Sequence, residues 1–67
     1  MDPAAAQQEE VERLTAALRE LDLRAWSHPT EVLGSIAPLE ARADHVDAPR
    51  ERARLRVRIA DLRTKAH

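Results

Sequence analysis

The sequence predicts an all-α fold, a three-helix antiparallel module in which a helical hairpin is followed by a third helix. Apolar residues recur at helical spacing in three successive segments. Each segment has a proline at its start, and short connections make consecutive helices antiparallel. We therefore expect residues 1–67 to form one small domain, with helices near 3–24, 29–46 and 49–66.

The first predicted helix has a clear start and one apolar stripe. Asp2 is a favoured N-cap residue, and Pro3 suits the first helical position that follows it. The spacing of 3, 4 and 3 residues along the stripe is heptad-like and typical of helices that pair. The stripe consists of Val11, Leu14, Leu18 and Leu21.

The second predicted helix contains two residues that disfavour helices. We expect Ser27 to cap it and Pro29 to lie in its first turn. Gly34 and Pro38 fall on the side opposite the apolar stripe, so the helix either bends outward or breaks between Ala37 and Pro38. The stripe consists of Val32, Ile36, Leu39, Ala43 and Val46.

The third predicted helix, which we expect Asp47 to cap, has two apolar stripes on opposite sides. A helix that is apolar on two sides is usually packed between two neighbours. The second neighbour could be another copy, a different protein or a continuation of the chain. One stripe is Leu55, Ile59, Leu62 and Ala66, and the other is Ala53, Val57, Ala60 and Thr64.

The composition indicates a small core. The chain has 67 residues, one aromatic residue and no cysteine, so neither disulfides nor thiolate metal sites can stabilise it. Oligomerisation is the common remedy for such a domain, and we expect self-association into a helical bundle. We expect Trp26 to seal the end of the bundle, and an interface anchor is the alternative role.

The charges are strongly segregated along the chain. Residues 1–48 carry ten acids and four arginines, a net charge of −6, whereas residues 49–67 carry seven basic and two acidic residues, or +5. This asymmetry indicates either a nucleic-acid-binding arm or attraction between the two parts of the chain. The candidate contacts to anions or to an acidic partner are Arg52, Arg54, Arg56, Arg58 and Arg63.

Segments of the sequence resemble two protein families. Residues 13–25 (RLTAALRELDLRA) are echoed by residues 54–66 (RLRVRIADLRTKA), and residues 29–46 and 50–66 resemble consecutive helices of tetratricopeptide-like repeats. That resemblance implies a helical scaffold that holds other proteins. Residues 12–21 (ERLTAALREL) are similar to the dimerising helices of polyketide synthase docking domains.

Catalytic and metal-binding patterns are absent from the sequence. His28, His45 and His67 lack metal-ligand spacing, and Ser27 beside His28 is not a triad arrangement. We expect no enzymatic activity, no metal and no cofactor. The longest apolar run has three residues, too short for a membrane span or a secretory signal. The lack of cysteine fits a cytoplasmic protein, and the excess of arginine over lysine suggests a bacterial source.

These observations predict a protein–protein interaction, dimerisation or docking module that forms a homo-oligomer. The alternatives are a basic helix that binds nucleic acid and an N-terminal fragment of a longer helical-repeat scaffold. We expect the interface to consist of Val11, Leu14, Leu18, Leu21, Trp26, Leu55, Val57, Ile59 and Leu62.

Overall fold

The computed structural model describes residues 2–66, so that Met1 and His67 lie outside the description. It confirms the all-α prediction with three helices, α1 (Pro3–Arg24), α2 (Pro29–Asp44) and α3 (Pro49–Ala66). The bounds of α1 and α3 match the predictions, and α2 ends two residues earlier than predicted. No helix within residues 2–66 is both long enough and apolar enough to cross a bilayer.

Proline fixes the start of each helix. The Asp2 prediction is confirmed, because the Ala4 N–H donates to Asp2 Oδ1 at 3.1 Å. The Ser27 prediction is wrong, because the N-cap of α2 is His28, directly before Pro29. With proline at the first helical position, the residue before it becomes the cap.

The start of α3 follows the same rule. The backbone carbonyl of Ala48 accepts the N–H of Arg52 at 2.9 Å, which is the first hydrogen bond of the helix. Asp47 lies one residue further out, so the prediction that Asp47 caps α3 is wrong. Its own N–H instead donates to Gln7 Oε1 on α1, at 3.1 Å.

Helix α2 runs continuously through Pro38, so the predicted alternative of a break at Ala37–Pro38 is wrong. Proline has no N–H to donate to the carbonyl of Gly34, four residues earlier. Both residues are exposed, opposite the buried Val32 and Ile36. Water can therefore solvate the freed carbonyl, and the helix is preserved.

Side-chain pairs show the relative directions of the helices. Arg42 near the end of α2 donates to Glu10 near the start of α1, at 3.0 Å from Nε. Lys65 near the end of α3 donates to Asp22 near the end of α1, at 2.8 Å. Helix α2 is thus antiparallel to both neighbours, α1 and α3 run parallel, and the bundle measures 40 × 18 × 15 Å.

All three helices contribute to one apolar core. It contains Val11, Leu14, Leu18, Ala25, Val32, Ile36, Ala43, Val46, Leu55, Ile59, Leu62 and Ala66, with Leu21, Leu39 and Ala48 packed against it. The predicted stripes of α1 and α2 and the first stripe of α3 all lie in or against this core.

The prediction that Trp26 seals the bundle is wrong, because its side chain is 84% exposed. The 3, 4, 3 spacing of the α1 stripe continues to Ala25, which is only 1% exposed and fills the inward position. Trp26 follows one residue later and is directed outward. The inward position after the end of α1 is therefore filled by the methyl group of Ala25.

Candidate interaction surface on α3

The second stripe of α3 lies on the surface of the bundle. Its four residues, Ala53, Val57, Ala60 and Thr64, are all exposed, and we call them the outward row. Val57 is 69% exposed, whereas Ile59, two residues later, is 1% exposed. The Thr64 hydroxyl donates to the Ala60 carbonyl at 3.1 Å, so its polar group is satisfied within the helix.

A shallow groove lies along one side of Val57. It is lined by Ala53, Arg54, Val57 and Arg58. Among residues 2–66, no carboxylate comes within ion-pair distance of Arg54 or Arg58. The groove therefore combines apolar surface with two cations available to an acidic partner.

The edge of α3 that faces α2 has its cations neutralised. The two terminal nitrogens of the Arg63 guanidinium, Nη1 and Nη2, donate to Glu40, each at 2.7 Å. These hydrogen bonds lower the pKa of Glu40 and raise the pKa of Arg63. Arg56 donates to Asp44 at 3.1 and 2.9 Å.

Arg52 lies on the same side of α3 and donates to the Val46 carbonyl at 3.1 Å. It therefore closes the turn between α2 and α3. Three of the five arginines predicted to contact a partner, Arg52, Arg56 and Arg63, thus form hydrogen bonds within the single chain.

The edge of α3 that faces α1 carries both signs of charge. Lys65 Nζ lies 2.8 Å from Asp22 and 3.2 Å from Asp61, and hydrogen bonds to both carboxylates raise the pKa of Lys65. The Asp61 side chain remains 60% exposed. Within residues 2–66, Asp61 pairs with one cation, Lys65, and shares it with Asp22, so Asp61 retains capacity for a second cation.

The residues predicted to form an interface separate into buried and exposed sets. Val57 and Trp26 are exposed, and Leu21 is partly buried. The others are in the core of the single chain, so they are not on its surface. The buried set is Val11, Leu14, Leu18, Leu55, Ile59 and Leu62.

Two exposed leucines were not predicted from the sequence. Leu23 is 82% exposed and Leu33 is 40% exposed. Leu23 lies three residues before Trp26, so the two add apolar surface near the end of α1. Their positions outside the apolar stripes were the available signal, because a large apolar residue off the stripe of an amphipathic helix faces water.

The histidine and serine side chains bond locally. Ser27 Oγ and His28 Nδ1 lie 2.9 Å apart at an exposed corner. His45 Nδ1 donates to the Ala41 carbonyl at 2.8 Å. Within residues 2–66, no three histidine or carboxylate side chains are grouped closely enough to hold a metal ion.

Comparisons with known proteins found no matching family model, no matching curated protein and no matching solved structure. The resemblance to tetratricopeptide-like repeats therefore stays a prediction.

Proposed function

We propose that this chain is a protein–protein interaction module that self-associates through the outward row of α3. The supporting observation is a continuous apolar row on the face of α3 opposite the core, with the Val57 side chain 69% exposed at its centre. Burying such a surface between helices is favourable because it removes apolar area from water.

The proposed interface is small. It has one branched apolar residue, Val57, between two alanines and a threonine methyl group. A single helix pair buries less area than the roughly 1,200 Å² typical of stable complexes. We therefore expect weak association that is detectable at high protein concentration and responds to single substitutions.

The test is sedimentation equilibrium over a wide concentration range at low and high salt, with circular dichroism on the same samples. We expect a helical dimer whose formation is abolished by Val57→Glu, since a buried unpaired carboxylate is costly. Leu23→Glu is the matched control, because Leu23 is also exposed but lies on α1, and this variant should dimerise normally. A wild-type protein that stays monomeric at every concentration would refute the proposal.

Nucleic-acid binding is the second candidate, and the exposed Arg54 and Arg58 favour it. Cations without acidic partners can neutralise phosphates, and such binding weakens steeply with added salt. Arg56 and Arg63 are already paired with acids on α2, which reduces the basic surface available. A salt-sensitive mobility shift of random duplex DNA or RNA that Arg54→Glu/Arg58→Glu removes would support this candidate.

A further inference from the structure

We infer that two copies pair their α3 helices antiparallel, so that Arg54 of each chain lies opposite the partner's Asp61. This inference rests on the proposed self-association. Two observations support the antiparallel pairing, the spacing of residues along the outward row and the charges on the two sides of that row.

The outward row has the spacing of a coiled-coil seam. Its four residues are separated by 4, 3 and 4 positions, which places alternate members at d and a of a heptad. Ala53 and Ala60 occupy d, and Val57 and Thr64 occupy a. Small residues at these positions let two helix axes approach to about 8 Å, the close end of the usual range.

Opposite charges meet on one side of the antiparallel pair. The flanking e positions hold Arg54 and Asp61. When Val57 lies against the partner's Ala60, and Ala53 against the partner's Thr64, the e positions of the two helices face each other. By the two-fold symmetry of such a dimer, the Arg54–Asp61 contact forms twice.

The other side of the pair does not oppose this arrangement strongly. The flanking g positions hold Arg56 and Arg63, which approach each other across the dimer. Each guanidinium already contacts a carboxylate of α2, Asp44 or Glu40. The net charge at these positions is thereby reduced, and like-charge repulsion is small.

A parallel pair has less favourable electrostatics. The a position one heptad before Val57 is Arg50, which would lie directly against the partner's Arg50. Asp61 would then face the partner's Arg56, whose guanidinium is already bound to Asp44. Arg54 would have no acidic partner, so the antiparallel orientation satisfies more of the charges.

Disulfide trapping tests the orientation, because the chain contains no cysteine of its own. Ala53→Cys and Thr64→Cys variants are mixed in a glutathione redox buffer, and the linked products are identified by mass. Antiparallel pairing predicts mainly the mixed 53–64 product. Two copies of position 53 would lie about 16 Å apart, beyond the reach of a disulfide.

Charge exchange tests the contact itself. Arg54→Asp and Asp61→Arg should each raise the dimer dissociation constant about fivefold or more, since each change replaces attraction by repulsion twice. The double variant restores opposite charges at both contacts and should return the constant to within about twofold of wild type. Arg24→Asp on α1 is the control and should have no effect.

The outcomes separate the two proposals. A dimer that gives mainly the 53–53 product, or a double variant that dimerises no better than the single ones, overturns the antiparallel pairing and leaves self-association intact. A protein that is monomeric and gives no linked product in excess of random collision overturns both.

Discussion

At the residue scale, Trp26 allows a direct test of whether a large apolar side chain outside the core contributes to folding stability. Its side chain is 84% exposed, so Trp26→Ala should change the free energy of unfolding by less than about 0.5 kcal/mol. Urea unfolding followed by circular dichroism measures this change. The wild-type fluorescence should also be readily quenched by iodide. A loss above about 2 kcal/mol would show that the indole is packed, contrary to the structure.

Gly34 is a second position at which a single substitution should change the free energy of unfolding by a predictable amount. Apart from its two chain neighbours and the backbone of its own helix, a Cβ added there meets no atom within 4 Å, and the φ of Gly34 is not positive. Gly34→Ala should therefore raise the free energy of unfolding by about 0.5–1 kcal/mol, because alanine loses less backbone entropy in a helix. The exposed Ala41 gives the reverse control, since Ala41→Gly should lower stability by a similar amount. Destabilisation by Gly34→Ala would mean that α2 needs glycine there.

At the scale of the element, Pro38 lies inside α2 where an N–H is normally required. Pro38→Ala supplies the N–H for the Gly34 carbonyl and removes the ring, so it should stabilise the protein by about 1–3 kcal/mol. Chemical denaturation measures the gain. Lower stability would indicate that the local geometry imposed by Pro38 is needed to pack α2 against both neighbours.

The pairing of α2 with α3 predicts a pH dependence. The Arg63 hydrogen bonds lower the pKa of Glu40 from its ordinary value of 4.5. A lowered pKa in the folded state stabilises the protein above that ordinary value, and the contribution is lost as the pH falls through the folded-state pKa. Urea unfolding between pH 6 and pH 3 should therefore show a larger stability loss for wild type than for Glu40→Gln.

The control for the pH experiment is another glutamate. Glu20 forms no ion pair among the residues that the structure describes. Glu20→Gln should therefore leave the wild-type difference between pH 6 and pH 3 unchanged. Equal pH profiles for wild type and Glu40→Gln would mean that the Glu40–Arg63 pair is broken in solution.

The elements themselves were largely predictable, for local reasons. Pro3, Pro29 and Pro49 mark the helix starts, and a single apolar stripe gives the buried faces of α1 and α2. The predicted caps Ser27 and Asp47 failed because they were chosen by side-chain type. The proline instead makes the residue directly before it the cap.

At the scale of the whole molecule, the candidate site was less predictable than the fold. A stripe such as Leu14 and Leu18 shows that a face is buried, but not whether the neighbour is the same chain or another one. Here α2 and α3 of the same chain cover it. The second stripe of α3, centred on Val57, could be recognised as unusual, yet only packing shows that α1 and α2 leave it exposed.

Two residues of α3 separate the stability of the bundle from its proposed association. Ile59 is 1% exposed, and Ile59→Ala should cost about 2–5 kcal/mol through lost burial and a cavity. A domain of this size is stabilised by only about 3–10 kcal/mol, so this variant should be close to unfolding. Val57→Ala should leave the free energy of unfolding nearly unchanged at low protein concentration, because the side chain is 69% exposed.

The order of the two effects should be reversed for association, where Val57→Ala should weaken the dimer more than Ile59→Ala does. Where Ile59→Ala still folds, its outward row is unchanged, whereas Val57→Ala removes the largest apolar group of that row. Chemical denaturation at low concentration and sedimentation at high concentration, on both variants, measure the two effects. If Val57→Ala lost as much folding stability as Ile59→Ala, then Val57 would belong to the core of the single chain. In that case the outward row would not be available to bind a second copy.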